Sequence, residues 1–203
     1  MTVTDAAKDY VNKLFAGNAG GHDYAHTMRV YANAMLLADT EKECDRTKEC
    51  DRTIVALAAL LHDVDDHKLF TTEENQHARA FLDAQGLNAE TTEQILHVIR
   101  GVSFSQNRGK HPDTLEGMIV QDADRLDAMG AIGIARTFAY GGEHGRPMEE
   151  SLQHFHEKLL MLRDGMNTQT GRCLAERRHA FMLAFLEELQ QETSVWQGEE
   201  IHA

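Results

Sequence analysis

The chain has 203 residues, 42% of them hydrophobic, which is enough for one well-buried core. Against 20 lysines and arginines stand 33 aspartates and glutamates, for a net charge of -13 at pH 7 and no Lys/Arg-rich run. Such a surface repels polyanions and excludes a large nucleic acid as the main partner; a small phosphorylated ligand remains compatible, because a bound cation can reverse the field inside one pocket.

In chain order, residues 1–15 show no basic segment followed by an apolar core, so no secretory signal is expected. Val3, Ala7, Tyr10, Val11, Leu14 and Phe15 instead form a helical stripe, broken by the glycines between Gly17 and Gly21. Val30, Ala34, Leu37 and Ala38 predict a second helix. A third starts near Asp51 and runs through Ile54, Leu57, Ala58 and Leu61; its apolar stretch is far too short to span a bilayer. Ala78, Phe81, Leu82 and Gln85 follow, then Ile95, Val98, Ile99 and Val102. Leu115 to Phe138 reads as one long helix or two joined near Gly130. Leu152, Phe155, Leu159 and Leu162 precede a final helix through Leu174, Phe181, Phe185, Leu186 and Leu189.

Alternating β-type runs are missing, and Pro112 and Pro147 are the only prolines. The expected fold is therefore all-α: one domain over residues 1–191 with roughly seven to nine helices, and a mobile tail over 192–203. Cys44, Cys50 and Cys173 form no C-x-x-C pair and no even-numbered framework, which fits a reduced, cytoplasmic protein without a membrane anchor. Residues 42–47 read KECDRT and residues 48–53 repeat it. This is a tandem duplication tolerated at a solvated helix end or loop, expected to be functionally silent.

Chemistry concentrates in three pieces. Gly21 to Val30 (GHDYAHTMRV) opens a helix, Leu60 to Lys68 (LLHDVDDHK) ends another, and Gln121 to Ala128 (QDADRLDA) lies within a third. In the middle piece an apolar, buried helix runs into His62-Asp63, and Asp65, Asp66 and His67 follow at once. An isolated His-Asp pair most simply marks a solvated helix end. That density of acids and imidazoles beside a buried run instead invites a cation, since a carboxylate there is costly unless paired or metal-bound. Ligands drawn from separate helices suit a bundle core. A set of two histidines and two carboxylates fits one divalent ion, with Mn2+ favoured, Fe2+, Co2+ or Ni2+ acceptable, and Mg2+ less natural because it prefers oxygen.

The phrases GHDYAHTMRV, ALLHDVDDHK, QDADRLDAMGAIGIARTFAYGG and MNTQTGR, in this order, resemble the HD superfamily of metal-dependent phosphohydrolases, and its bacterial YpgQ/YedJ-like branch in particular. The resemblance runs from about Gly21 to Phe185. It implies an HD-type helical bundle whose metal is held by His26, His62, Asp63 and a later aspartate. Asp122, Asp124 and Asp127 compete for that last place, and the family pattern favours Asp124. The adjacent histidine pair of two-metal members has no counterpart in Ile99 to Ser105, so a single ion is expected, with His77 and His97 as ordinary helix residues.

Further roles follow from the resemblance. Asp66 stands where related enzymes keep an acid that orients or deprotonates water, with Asp65 as the alternative. Lys68 is the natural cation for a phosphate, and His22 could contact it or protonate the leaving oxygen. Asp23, Arg125 and Ser103 complete the substrate-binding candidates; Asp23 could equally serve the helix N-terminus, and Arg125 could point away. No phosphate-binding G-x-x-x-x-G-K-[ST], nucleophile elbow or H-E-x-x-H occurs, and Gly130 to Gly133 reads as close helix packing. The expected substrate is a nucleotide, foremost a (deoxy)nucleoside triphosphate cleaved to monophosphate and pyrophosphate. A nucleoside monophosphatase is the alternative, and a non-catalytic metal or nucleotide sensor the alternative of another class. A monomer or homodimer is expected.

Overall fold

The computed structural model of the chain describes residues 1–17, 23–44, 49–66, 69–71, 75–102 and 110–197. Among these there are no strands. The helices are α1 (Val3–Leu14), α2 (Tyr24–Cys44), α3 (Arg52–Leu61), α4 (Gln76–Ala84), α5 (Ala89–Val102), α6 (Leu115–Asp127), α7 (Gly130–Glu143), α8 (Met148–Glu157), a 3-10 segment (Leu159–Gly165) and α9 (Gln169–Gln197). The all-α expectation holds. The last helix continues to Gln197, beyond the point where the sequence predicts a tail.

Helix α3 sits at the centre, against α1, α2, α5 and α6. Every residue from Ile54 to Leu61 is buried, which explains why this helix has no polar face. Its start is set by Asp51, whose carboxylate accepts from the backbone N–H groups of Thr53 (2.8 Å) and Ile54 (3.2 Å), while Glu116 accepts from the N–H of Asp51 (2.8 Å). The second KECDRT copy thus matters structurally, because its aspartate caps the central helix. No helix among the described residues is long and apolar enough to cross a membrane.

Between α6 and α7 the chain breaks once, resolving the two possibilities left by the sequence. Met129 is extended and Gly130 takes φ +67°, a left-handed conformation that side chains disfavour. The methylenes of Arg178 fill the space beside it, 3.1 Å from where a Cβ would lie, and its guanidinium donates to the carbonyl of Leu126. One turn later, a Cβ on Gly133 would stand 2.2 Å from the carbonyl oxygen of Ala128. Backbone cannot move aside there cheaply. Gly133→Ala is therefore expected to cost about 2–3 kcal/mol. Gly142→Ala on the same helix meets nothing within 4 Å and should be neutral or stabilising by about 0.5–1 kcal/mol. Thermal melts of the two variants check the contrast; equal melting temperatures would refute it.

The outer layer of α7, α8, the 3-10 segment and α9 is fastened to α6 through the MNTQTGR stretch. Asp122, wholly buried, accepts from the backbone and side-chain amides of Asn167 and from the backbone N–H and hydroxyl of Thr168, at 2.8–3.1 Å. Asn167 also donates to Gln121, which donates to the carbonyl of Gly101 at the end of α5. The start of α9 is capped from α2, where buried Glu41 accepts from the N–H of Thr170 (2.9 Å).

Candidate metal centre

Three helix segments bring polar side chains to one point. At the start of α2, Asp23 Oδ1 accepts from the backbone N–H of His26 (2.6 Å), the bond of an N-terminal cap, which sets His26 in the first turn. The His26 ring is buried. Its Nδ1 donates to Asp127 Oδ2 (2.7 Å), so Nε2 is the nitrogen turned inward, 3.3 Å from Asp63 Oδ2 and 3.5 Å from Asp124 Oδ1. At the end of α3, His62 Nδ1 donates to the carbonyl of Ala59 (2.9 Å), and its Nε2 lies 3.3 Å from Asp63 Oδ2 and 3.8 Å from Asp124 Oδ1. The two rings meet edge-on with centroids 5.3 Å apart. Both histidines thus spend Nδ1 on a fixed acceptor and aim Nε2 at the same two carboxylates.

His62 Nε2 is buried and makes no hydrogen bond among the described residues. A buried polar atom without a partner needs a reason. A cation supplies one: ligand atoms of His26, His62 and Asp124 lie within 4.8 Å of one another, and Asp63 adds a second oxygen. The electrostatics agree. Burial opposes a charge on His62, yet the charges of Asp63 and Asp124 outweigh it, and the imidazole is pushed up to about 9. Burial likewise opposes a charge on His26, and its bonds to Asp127 and Asp63 raise it all the same. The same carboxylates that favour a positive charge on these two buried imidazoles would favour a divalent cation between them.

The three aspartates of α6 separate cleanly. Asp124 faces both inward Nε2 atoms. Asp122 is taken up by Asn167 and Thr168. Asp127 is bound from the far side of His26: its carboxylate accepts from His26 Nδ1, from Arg29 Nε (2.6 Å) and Nη2 (3.1 Å), and from Arg136 Nη1 (2.6 Å). Burial works against its ionisation, but the bonds to His26 and Arg29 prevail and hold it far below the usual carboxylate range.

Among the other expected site residues, Asp66 is half-buried directly after the cluster. Its N–H donates to the carbonyl of Asp63 (3.1 Å), and its own carbonyl accepts from Leu69 and Phe70 (2.9 Å each). Asp65, the alternative base, is committed to helix α4: its oxygens accept from the N–H groups of His77 (2.8 Å) and Ala78 (3.0 Å). Arg125 is buried and its guanidinium donates to the carbonyl of Gly165, which draws the side chain to the 3-10 segment. His22, Lys68 and Ser103 lie outside the described residues. His77 and His97 stand apart from the cluster, bonded to Val64 and to Asp113. Arg29 and Arg136 do not emerge from the sequence. Arg29 lies one turn after His26, a spacing that could have flagged it; nothing in the linear pattern points to Arg136.

The HD domain family model matches residues 23–129, a span containing all four expected ligands. YpgQ of Bacillus subtilis is 39% identical over 194 residues, covering 91% of each chain. The crystal structure of that protein in complex with ADP superposes with a TM-score of 0.77 at 35% identity, over 93% of this chain and 97% of the other. A crystal structure of an HD-superfamily hydrolase from Bacillus thuringiensis gives 0.75 at 37% identity, over 94% and 96%.

Proposed function

This chain belongs to the HD domain family, and on that premise we propose that it is a divalent-metal-dependent phosphohydrolase of nucleotides. Its foremost substrates in this reading are (deoxy)nucleoside triphosphates, cleaved to monophosphate and pyrophosphate, with one ion at the centre and Mn2+ as the favoured metal. One observation carries the proposal: the Nε2 atoms of His26 and His62 both face Asp63 Oδ2 at 3.3 Å, with Asp124 Oδ1 at 3.5 and 3.8 Å. The ADP bound to the similar YpgQ supports a nucleotide, and the similar hydrolase of Bacillus thuringiensis supports hydrolysis.

His26, His62, Asp63 and Asp124 would hold the ion, which when bound would supply Lewis acidity toward a phosphoryl oxygen and toward water. Asp66 orients and deprotonates the attacking water, from a backbone position fixed by its bonds to Asp63, Leu69 and Phe70. In the same reading Lys68 would offset phosphate charge, His22 would protonate the leaving oxygen, and Ser103 would bind substrate. Asp23 and Arg125 contribute by holding the first turn of α2 and the outer face of α6. Cleavage of this kind asks for alignment and charge neutralisation more than for covalent chemistry from the protein.

The test is a panel of nucleoside mono-, di- and triphosphates incubated with the purified protein and each divalent metal, with products separated. Pyrophosphate and monophosphate from triphosphates are expected. Inorganic phosphate released from monophosphates would favour the phosphomonoesterase, and metal binding without turnover would favour the sensor. Asp66→Ala should retain metal and lose about 100-fold or more in rate; an unchanged rate would remove its role.

A further inference from the structure

On the Nδ1 side of His26, away from Asp63 and Asp124, Asp127 and two arginines form a charge cluster outside the expected ligand set. Asp127 is buried, with a side-chain exposure of 2%, and its partners come from two other helices. His26 and Arg29 lie on α2, Asp127 ends α6, and Arg136 lies on α7, which supplies no expected ligand. Four N–H bonds reach the one carboxylate: Arg29 Nε on Oδ1, and Arg29 Nη2, Arg136 Nη1 and His26 Nδ1 on Oδ2.

The geometry dictates what each partner does. Arg136 Nη1 also lies 3.1 Å from His26 Nδ1. Two N–H donors cannot bond each other, so both converge on Oδ2. An ionised Asp127 has only lone pairs to offer, and Nδ1 must therefore carry the proton. That leaves Nε2 as the nitrogen with a lone pair for a metal, and it is the one facing Asp63 and Asp124. Without the arginines the carboxylate could swing on its own side-chain torsions. Arg29 grips both oxygens in a fork, and Arg136 adds a further bond to Oδ2 from α7.

We propose that Asp127 is a positioning residue that fixes the tautomer and ring plane of His26, with Arg29 and Arg136 as the clamps that keep its Oδ2 on Nδ1. Helix α7 thereby acts on the metal centre through Arg136 without touching the ion. A carboxylate placed on the far nitrogen of a ligand imidazole also raises the basicity of the near one, and loss of such partners lowers metal affinity by about 10–100-fold. A merely structural ion pair would tie α2, α6 and α7 together with no consequence for the ring.

The inference rests on the metal reading, and its test separates the two. Co2+ alone, titrated against a competing chelator into the full chain, measures affinity without any substrate. Proton NMR of the metal-free chain looks for the hydrogen-bonded, slowly exchanging His26 Nδ1–H at low field, assigned by its loss in His26→Ala. Asp127→Asn keeps an acceptor without the charge, and is expected to weaken Co2+ binding about 10-fold and move that resonance upfield. Asp127→Ala should weaken binding by up to about 100-fold and abolish the resonance, and Arg136→Ala should shift both by a smaller amount. Circular dichroism confirms folding, and Asp127→Asn keeps the test open if Asp127→Ala does not fold. Wild-type affinity together with an unmoved resonance in Asp127→Asn overturns the proposal. Unchanged Co2+ binding in His62→Ala would instead refute the metal centre itself.

Discussion

Replacing His62 with alanine is expected to abolish metal retention and turnover together, with kcat/KM falling by about three orders of magnitude or more, or about 4 kcal/mol of barrier at roughly 1.4 kcal/mol per decade. The expectation comes from placement. His62 closes the buried helix α3, its Nδ1 is tied to Ala59, and its Nε2 has no hydrogen-bond partner among the described residues. Alanine removes a nitrogen that nothing nearby can replace and leaves the charges of Asp63 and Asp124 with one imidazole fewer. Asp63→Ala should do the same, because its Oδ2 is the oxygen shared at 3.3 Å by both rings. Metal content after gel filtration, measured beside the rate, reads both losses. Full activity in either variant, or in wild type with chelator present, would reject the mechanism.

Asp122→Ala should produce the opposite pattern: a large loss of stability with the ion still bound. The carboxylate is wholly buried and accepts from two backbone N–H groups, an amide and a hydroxyl. Burial pushes this carboxyl above its ordinary range, against the pull of those donors. Alanine strands the buried N–H and hydroxyl of Thr168, at about 1–3 kcal/mol for each group left unpaired, and removes two bonds from half-buried Asn167, so a total of about 3–5 kcal/mol is expected. For a domain of this size, that is a fall of about 10 °C or more in melting temperature. Gly171 shows how tightly the site is closed, since a Cβ there would stand 2.5 Å from Asp122 Oδ2. Loss of metal without loss of stability in Asp122→Ala would make it a ligand and displace Asp124.

The helices were legible in sequence because apolar spacing follows the core they face, and α3 most clearly, since an element buried all round must be apolar all round. The break at Gly130 stayed open: a left-handed glycine and an interior helical glycine look alike until Arg178 is seen beside one of them. Adjacent, motif-borne residues such as His62 and Asp63 announce themselves. Residues whose role depends on distant partners do not. Asp65 and Asp66 are neighbours of the same type, yet one caps α4 and the other bonds back to Asp63 through its N–H, and only the position of α4 distinguishes them. Arg136 is the extreme case, more than a hundred residues from the histidine whose hydrogen bond it shares.

Helix α6 sorts three identical side chains by angle alone. At about 100° per residue, Asp122, Asp124 and Asp127 point to Thr168 just ahead of α9, to His26 Nε2 and to the arginines. Inserting or deleting one residue between Asp122 and Asp127 would leave the helix and its composition intact while turning one part of this compass against the other. Loops elsewhere in the fold can change length cheaply, but the register within this short stretch has no slack.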